Sequence, residues 1–284
     1  GGLSETSRAM VEVPRGNGAE IRLNSPVARL LLDGRNAEGV ELESGEKIFA
    51  DEVVIAADFG YAMENLFPRG FLKKYSPEKL AKKDFSCSTF MLYLGLDRIY
   101  DLPHHTIFFA ENYRRNVEEV FDTKTLSDDV SFYVRNASVT DPSLAPPGQS
   151  AVYVLVPAPN LRGKIDWEKE KKPFRDLILD LMEKRGEMEG IREAIREEKV
   201  IAPPDWDNDY NVYAGAVFNL AHGLDQMIYL RPHNRFQECG NCYLAGGGTH
   251  PGSGLPTIYE SGRIAANLIT DKYGVDHPPV RERI

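Results

Sequence analysis

The chain has 284 residues, 42% hydrophobic and 27% charged, with a formal net charge of −9. That size and apolar content suffice for one large domain or two intertwined ones and exclude a disordered or fibrous chain. The acidic balance argues against nucleic acid and against general attraction to anionic lipid, so any membrane contact must be local and apolar. No run nears the ~20 apolar residues that a membrane span requires, and three cysteines fit a reducing compartment, and hence a cytoplasmic location, better than a disulfide framework.

In chain order, Leu3 to Val13 reads as a helix closed by Pro14-Arg-Gly-Asn-Gly18, and Glu20 to Asn24 alternates as a short strand. Val27 to Leu32, Ala37 to Leu42 and Lys47 to Ala50 alternate around Asp33-Gly34 and Ser44-Gly45, the pattern of a small antiparallel meander. Asp51 to Asp58 reads as a buried strand returning to a main sheet. From about Phe67 to Phe236 the composition shifts. Thr89 to Leu96, Thr106 to Phe109, Val130 to Arg135 and Ala151 to Val156 are dense in aromatic and branched residues and suggest an inserted antiparallel sheet. A charged helical region from Trp167 to about Lys199 carries Phe174, Leu177, Ile178, Leu181 and Met182 at helical spacing, as expected of a helix packed on that sheet. Cys239-Gly-Asn-Cys242 reads as a turn before the strand Tyr243 to Ala245. A zinc site would need two further ligands, and neither Cys87 nor the scattered histidines supply a second pair at finger spacing, so no metal is expected.

The stretch from Leu244 to Ile264 places an apolar strand, a glycine-rich turn and an amphipathic helix in succession. Gly246, Gly247 and Gly248 allow a sharp turn and close approach to a ligand, and Pro256 suits the first helical position. The helix N-terminus would then face whatever fills the turn. Ile258, Ser261, Gly262, Ala265, Leu268 and Ile269 share one helical face. The run is not the Gly-x-Gly-x-x-Gly dinucleotide fingerprint, because Pro251 takes the third glycine's place counting from Gly246, and Thr257 takes it counting from Gly252.

Gly246-Gly-Gly-Thr-His-Pro-Gly-Ser-Gly-Leu-Pro256 resembles the C-terminal flavin motif of bacterial and fungal-type phytoene desaturases. Ser86 to Asp97, His104 to Phe109, Asn136 to Gly148, Leu220-Ala-His222 and Arg231-Pro-His-Asn-Arg235 read like further stretches of that family in the same order. The resemblance runs from Gly1 to about Tyr273 and covers a C-terminal portion of such proteins, without their upstream Gly-x-Gly-x-x-Gly unit. It implies a two-domain α/β (α+β) flavoprotein of the amine-oxidase-like type, with a partial Rossmann-type cofactor domain (1–66 and 239–284) and an inserted antiparallel-sheet substrate domain (67–238).

The resemblance further implies FAD as cofactor, held by Val27, Asp58, Gly247, Gly248, Thr249, Gly254, Pro256, Thr257, Ile258 and Ser261. Read as residues alone, Val27 is a core strand position and Asp58 a loop cap. The implied reaction is desaturation of a polyene such as 15-cis-phytoene, with quinone or dioxygen as electron acceptor and peripheral membrane contact. Sister activities on diapophytoene, later-step carotenoid desaturation, polyene isomerisation and a non-enzymatic apolar-ligand module stand as alternatives. Phe90, Tyr93, Phe108 and Phe218 are the expected lining of an apolar tunnel, although core packing predicts the same residue types. Among the polar candidates His222, Arg231, His233 and His250, the first two are the expected acid–base residues.

Overall fold

The structure, a computed structural model, describes residues 2–276; apart from Asp276, the tail Asp276 to Ile284, expected as a loose end, lies outside them. In chain order come helix α1 (Leu3–Gly16), strands β1 (Val27–Asp33), β2 (Asn36–Leu42), β3 (Lys47–Phe49) and β4 (Val53–Ile55), and helix α2 (Phe59–Asn65). Strands β5 (Ser88–Leu96), β6 (His105–Phe108), β7 (Phe132–Asn136) and β8 (Ser150–Ala158) follow, then helix α3 (Trp167–Arg185), strands β9 (Ile195–Ile201) and β10 (Cys242–Leu244), and helix α4 (Leu255–Lys272). Short helical turns join them.

These elements form two compact units, one of Gly1–Leu23, Cys87–Tyr210 and Ala214–Val217, the other of Asn24–Ser86, Asn211–Tyr213 and Phe218–Ile284. The borders differ from those expected at 66/67 and 238/239. An aromatic cluster explains the shift: Phe59 packs edge-on to Tyr75, and Phe236 packs against both Phe67 and Tyr75. Phe59 and Tyr75, on either side of the first expected border, therefore share one core, and across the second the Phe236 N–H donates to the Cys242 oxygen at 3.0 Å.

The first unit is a five-stranded sheet in the order β6-β7-β8-β5-β9, antiparallel throughout. Period-two alternation gives it two unlike faces. Phe90, Leu92, Leu94, Phe132, Val134, Val152, Val154 and Val156 point to one side, where Trp167, Phe174, Ile178, Leu179 and Met182 of α3 cover them. The expected helix to Lys199 instead stops at Arg185. A Cβ on Gly186 would lie 2.5 Å from the Met182 carbonyl oxygen, and Glu187 takes φ 54°, so the chain leaves the helix and returns as β9. Its Arg-Glu-Glu-Lys run is exposed on both faces of an edge strand, and in sequence it resembles a charged helical face. Residues 20–24 form no strand; Asn24 adopts φ 52°, which breaks the extended alternation.

In the second unit β1, β2 and β3 form the expected antiparallel meander. β4 pairs in parallel with β10, setting Ile55 opposite Leu244. The strand expected from Asp51 to Asp58 shrinks to Val53–Ile55. Only Ile55 is buried, and Val54 is 45% exposed, since a two-stranded sheet offers little cover. No described helix is long and apolar enough to cross a membrane.

Candidate active site

The carboxyl ends of two parallel strands lie side by side where β4 runs into Ala56-Ala57-Asp58 and β10 into Ala245-Gly246, joined by the bond from the Ala245 N–H to the Ile55 oxygen at 2.9 Å. Such ends are the usual ligand crevice of open parallel sheets. Asp58 caps α2: its Oδ1 accepts from the Tyr61 N–H at 2.9 Å and from the Tyr213 N–H at 3.3 Å, and its Oδ2 accepts from Asn219 Nδ2 at 2.6 Å. Its reading as a cap fits this geometry, and the carboxylate also ties three segments together.

The glycine turn is built by buried polar side chains. Ser261 Oγ accepts from the Gly246 N–H and from Asn234 Nδ2, each at 3.0 Å, and meets Thr249 Oγ1 at 3.0 Å. Asn234 Nδ2 also reaches the Leu244 oxygen at 3.1 Å. Gly246 takes φ 113°, which glycine alone adopts without strain. The absence of a side chain at Gly248 also serves the protein's own packing: a Cβ there would lie 2.4 Å from both Asn219 Oδ1 and Phe59 Cβ.

Arg231 lies under this turn, 1% exposed. Its Nη2 donates to the Gly247 oxygen at 2.6 Å and the Leu220 oxygen at 3.2 Å, its Nε to the Thr249 oxygen at 3.2 Å, and its Nη1 to the Ala221 oxygen at 3.4 Å. Burial lowers its pKa. With four of its five N–H donors on backbone carbonyls, the guanidinium is arranged to hold the turn, which differs from the acid–base role expected of it. His222 is exposed, and its Nε2 lies 2.9 Å from Ser253 Oγ. Partial burial, then the nearby Arg231 charge, holds its imidazole below the ordinary range, which favours the neutral, proton-accepting form. His250 donates its N–H to the Pro232 oxygen at 2.8 Å, and His233 packs edge-on to Tyr229.

Helix α4 begins at Leu255, with Pro256 second rather than first, and Gly254 before it takes φ 102°. Thr257 Oγ1 turns back to the Ser253 and Gly254 oxygens at 2.7 and 2.8 Å. Of the expected apolar face, Ser261 and Ala265 are buried, while Ile258 is half-buried. Val27 sits half-buried at the start of β1.

This arrangement fits a flavin. Among the described residues the Gly247 and Gly248 N–H groups make no hydrogen bond, and the first N–H groups of α4 have no intrahelical acceptor by the geometry of a helix start. Consecutive free N–H groups beside a helix N-terminus suit carbonyl or phosphate oxygens. The Gly246–Gly248 and Gly254–Ile258 segments, with Ala56 and Ala57 exposed beside the turn, would hold the group.

The expected tunnel residues do not gather in one place. Phe90 is fully buried between Trp167 and Phe174 in the helix-covered core. Phe108 is stacked on Phe132 against that same core. Tyr93 is on the opposite face of the sheet, in a cavity of about 710 Å³ lined also by Met91, Arg135, Tyr153, Leu155 and Leu3. Phe218, 42% exposed, belongs to the other unit. Cys239 and Cys242 are buried free thiols. A hydrogen bond from Cys242 lowers the Cys239 thiol and raises its own. Among the described residues no group of three or more metal-ligating side chains is gathered.

Sequence reasoning missed Asn219, Asn234, Tyr153 and Ser253. Asn219 shows no sequence signal, since its role follows from φ 66° and contact with Asp58. Asn234 lies inside the Arg231–Arg235 block.

Over 275 residues the chain is 54% identical to a 4,4′-diapophytoene desaturase (4,4′-diapolycopene-forming) of Methylomonas sp, covering 97% of this chain and 54% of that protein. It is 44% identical to an all-trans-zeta-carotene desaturase of Myxococcus xanthus, covering 96% and 52%. Against a phytoene desaturase (lycopene-forming) of Pseudescherichia vulneris identity is 35%, covering 95% and 55%. The chain thus spans about half the length of these relatives. An oxidoreductase from Methanosarcina mazei shares the fold, at TM-score 0.62 and 16% identity over 92% of this chain and 53% of that one. These findings bear out the expected resemblance and the amine-oxidase-like fold, with FAD as cofactor. A family model for flavin containing amine oxidoreductases matches residues 1–270, and the chain belongs to that family.

Proposed function

We propose that the protein containing this chain is an FAD-dependent carotenoid desaturase, which removes two hydrogens from adjacent saturated carbons of a polyene precursor, with 4,4′-diapophytoene ahead of 15-cis-phytoene as substrate. The observation that carries this reading is the 54% identity to a diapophytoene desaturase over nearly the whole chain, against 35% for a phytoene desaturase. Bound FAD supplies a hydride acceptor.

This chain's residues supply the rest. The free Gly247 and Gly248 N–H groups offer donors to a flavin oxygen, and Ser261, Thr249 and Asn234 keep the turn rigid. A hydrocarbon gives a protein no polar handle, so orientation and exclusion of water carry the rate. Tyr93, Tyr153, Met91 and Leu155 offer it an apolar, aromatic surface. His222, held neutral, is the proton acceptor in this reading. The final electron acceptor is a quinone or dioxygen. Exposed Leu224, Ile228, Tyr229 and Leu230, on one loop, support peripheral contact with a membrane from the cytoplasmic side.

The test is conversion of 4,4′-diapophytoene and of phytoene in liposomes with FAD and a quinone, by a full-length protein containing this segment, with products resolved by chromatography. Faster conversion of the diapo substrate is expected. Equal or faster conversion of phytoene refutes the substrate assignment, and no conversion of either by FAD-loaded protein refutes the desaturase. His222→Ala should lose about 10²–10⁴ in rate, and a loss under about tenfold removes the proton-acceptor role.

A further inference from the structure

Arg231 combines three features that seldom occur together. It is 1% exposed; among the described residues it forms no ion pair with any carboxylate; and two of its four carbonyl partners, Gly247 and Thr249, belong to the glycine turn. A buried cation ordinarily acquires a carboxylate partner, because desolvation without one is costly. Here carbonyl dipoles take four of its five N–H donors and leave its net charge in place.

The bond to the Gly247 oxygen has a geometric consequence. In a trans peptide the C=O and the following N–H point in opposite directions. Drawing the Gly247 oxygen 2.6 Å from Nη2 therefore turns the Gly248 N–H away from Arg231, and that N–H makes no hydrogen bond among the described residues. The neighbouring ionisable group, His222, is neutral or cationic whatever its protonation and so cannot cancel the charge.

We infer that Arg231 is a positioning residue that raises the reduction potential of the bound flavin, by aiming the glycine-turn N–H at it and by an uncompensated buried positive charge behind that turn. The inference rests on the assignment of the turn to the flavin. A reduced flavin carries more negative charge than an oxidised one, so fixed positive potential favours reduction.

The experiment is a spectroelectrochemical titration of the FAD-loaded full-length protein, its Arg231→Lys variant and its Arg231→Gln variant. At a fixed applied potential the ratio of reduced to oxidised flavin should fall at least tenfold in the Gln variant, about 30 mV for a two-electron couple. The Lys variant, which keeps the charge, should stay within about threefold of the parent, since 30 mV marks tenfold. A Gln variant within threefold overturns the inference, as do equal shifts in the two variants, which would leave the buried charge without effect on the flavin. Should the Gln variant fail to hold FAD, a tenfold fall in the Lys variant by itself overturns the electrostatic role. The reading needs no polyene, so a parent protein with this potential behaviour and no carotenoid conversion would sink the desaturase assignment alone.

Discussion

In the five-stranded sheet unit, Phe90, Leu92, Val154, Ile178, Leu179 and Met182 are all 0% exposed and meet through apolar atoms. In the glycine-turn unit, Arg231, Asn234, Thr249 and Ser261 are at most 4% exposed and meet through hydrogen bonds. The first kind of interior is non-directional: it fixes which face of β5 and β8 is covered and leaves the other face free for a cavity. The second is directional. Each buried polar group needs its partner, so the network selects one backbone path through Gly246–Gly248 at the cost of tolerating little change. A sheet face that presents a surface needs chiefly apolar cover behind it, whereas a turn that aims backbone N–H groups requires fixed partners.

Three measurements would break or sharpen this contrast. The largest effect should come from Phe90→Ala, which removes a ring packed against Trp167 and Phe174 and should cost about 3–5 kcal/mol in urea unfolding followed by circular dichroism. A cost below about 1 kcal/mol would place Phe90 at a cavity wall after all. Next, Gly248→Ala forces a methyl to 2.4 Å from Asn219 Oδ1 and from Phe59 Cβ, which is attached directly to its backbone and cannot swing away. About 1–3 kcal/mol of destabilisation is expected from overpacking, with weakened FAD retention read by fluorescence. Full FAD retention would mean that the turn is softer than its hydrogen bonds imply.

The smallest effect concerns pH. His222 is lowered in the folded state, by burial and then by Arg231. As pH falls through about 6.5 the unfolded chain takes up this proton while the folded one resists, so stability is lost on acidification from that point down. His222→Gln should flatten the pH dependence of the denaturant midpoint between about pH 7 and 5, the range in which a histidine titrates. An unchanged slope would show that the imidazole is as free as in an unfolded chain.

Periodicity and punctuation in the chain determined much of this molecule. The meander at Val27–Phe49, the aromatic strands and the amphipathic start of α3 were all legible, because a local pattern of apolar residues chooses which side of an element is buried. So was the glycine motif, because strand, turn and helix adjoin in sequence and their residues resemble a known family. Tertiary structure decided what local pattern does not encode. Edge strand β9 carries charges that read as helix until its pairing with β5 is seen. Phe90 and Tyr93, three residues apart in one strand, fall on opposite faces, one in the core and one in a cavity. Asn219 and Arg231 acquire their roles only when Asp58 and Gly247, 161 and 16 residues away, are brought to them. Hydrogen bonds between distant buried groups leave no period in the chain, so only the folded molecule reveals which atoms they join.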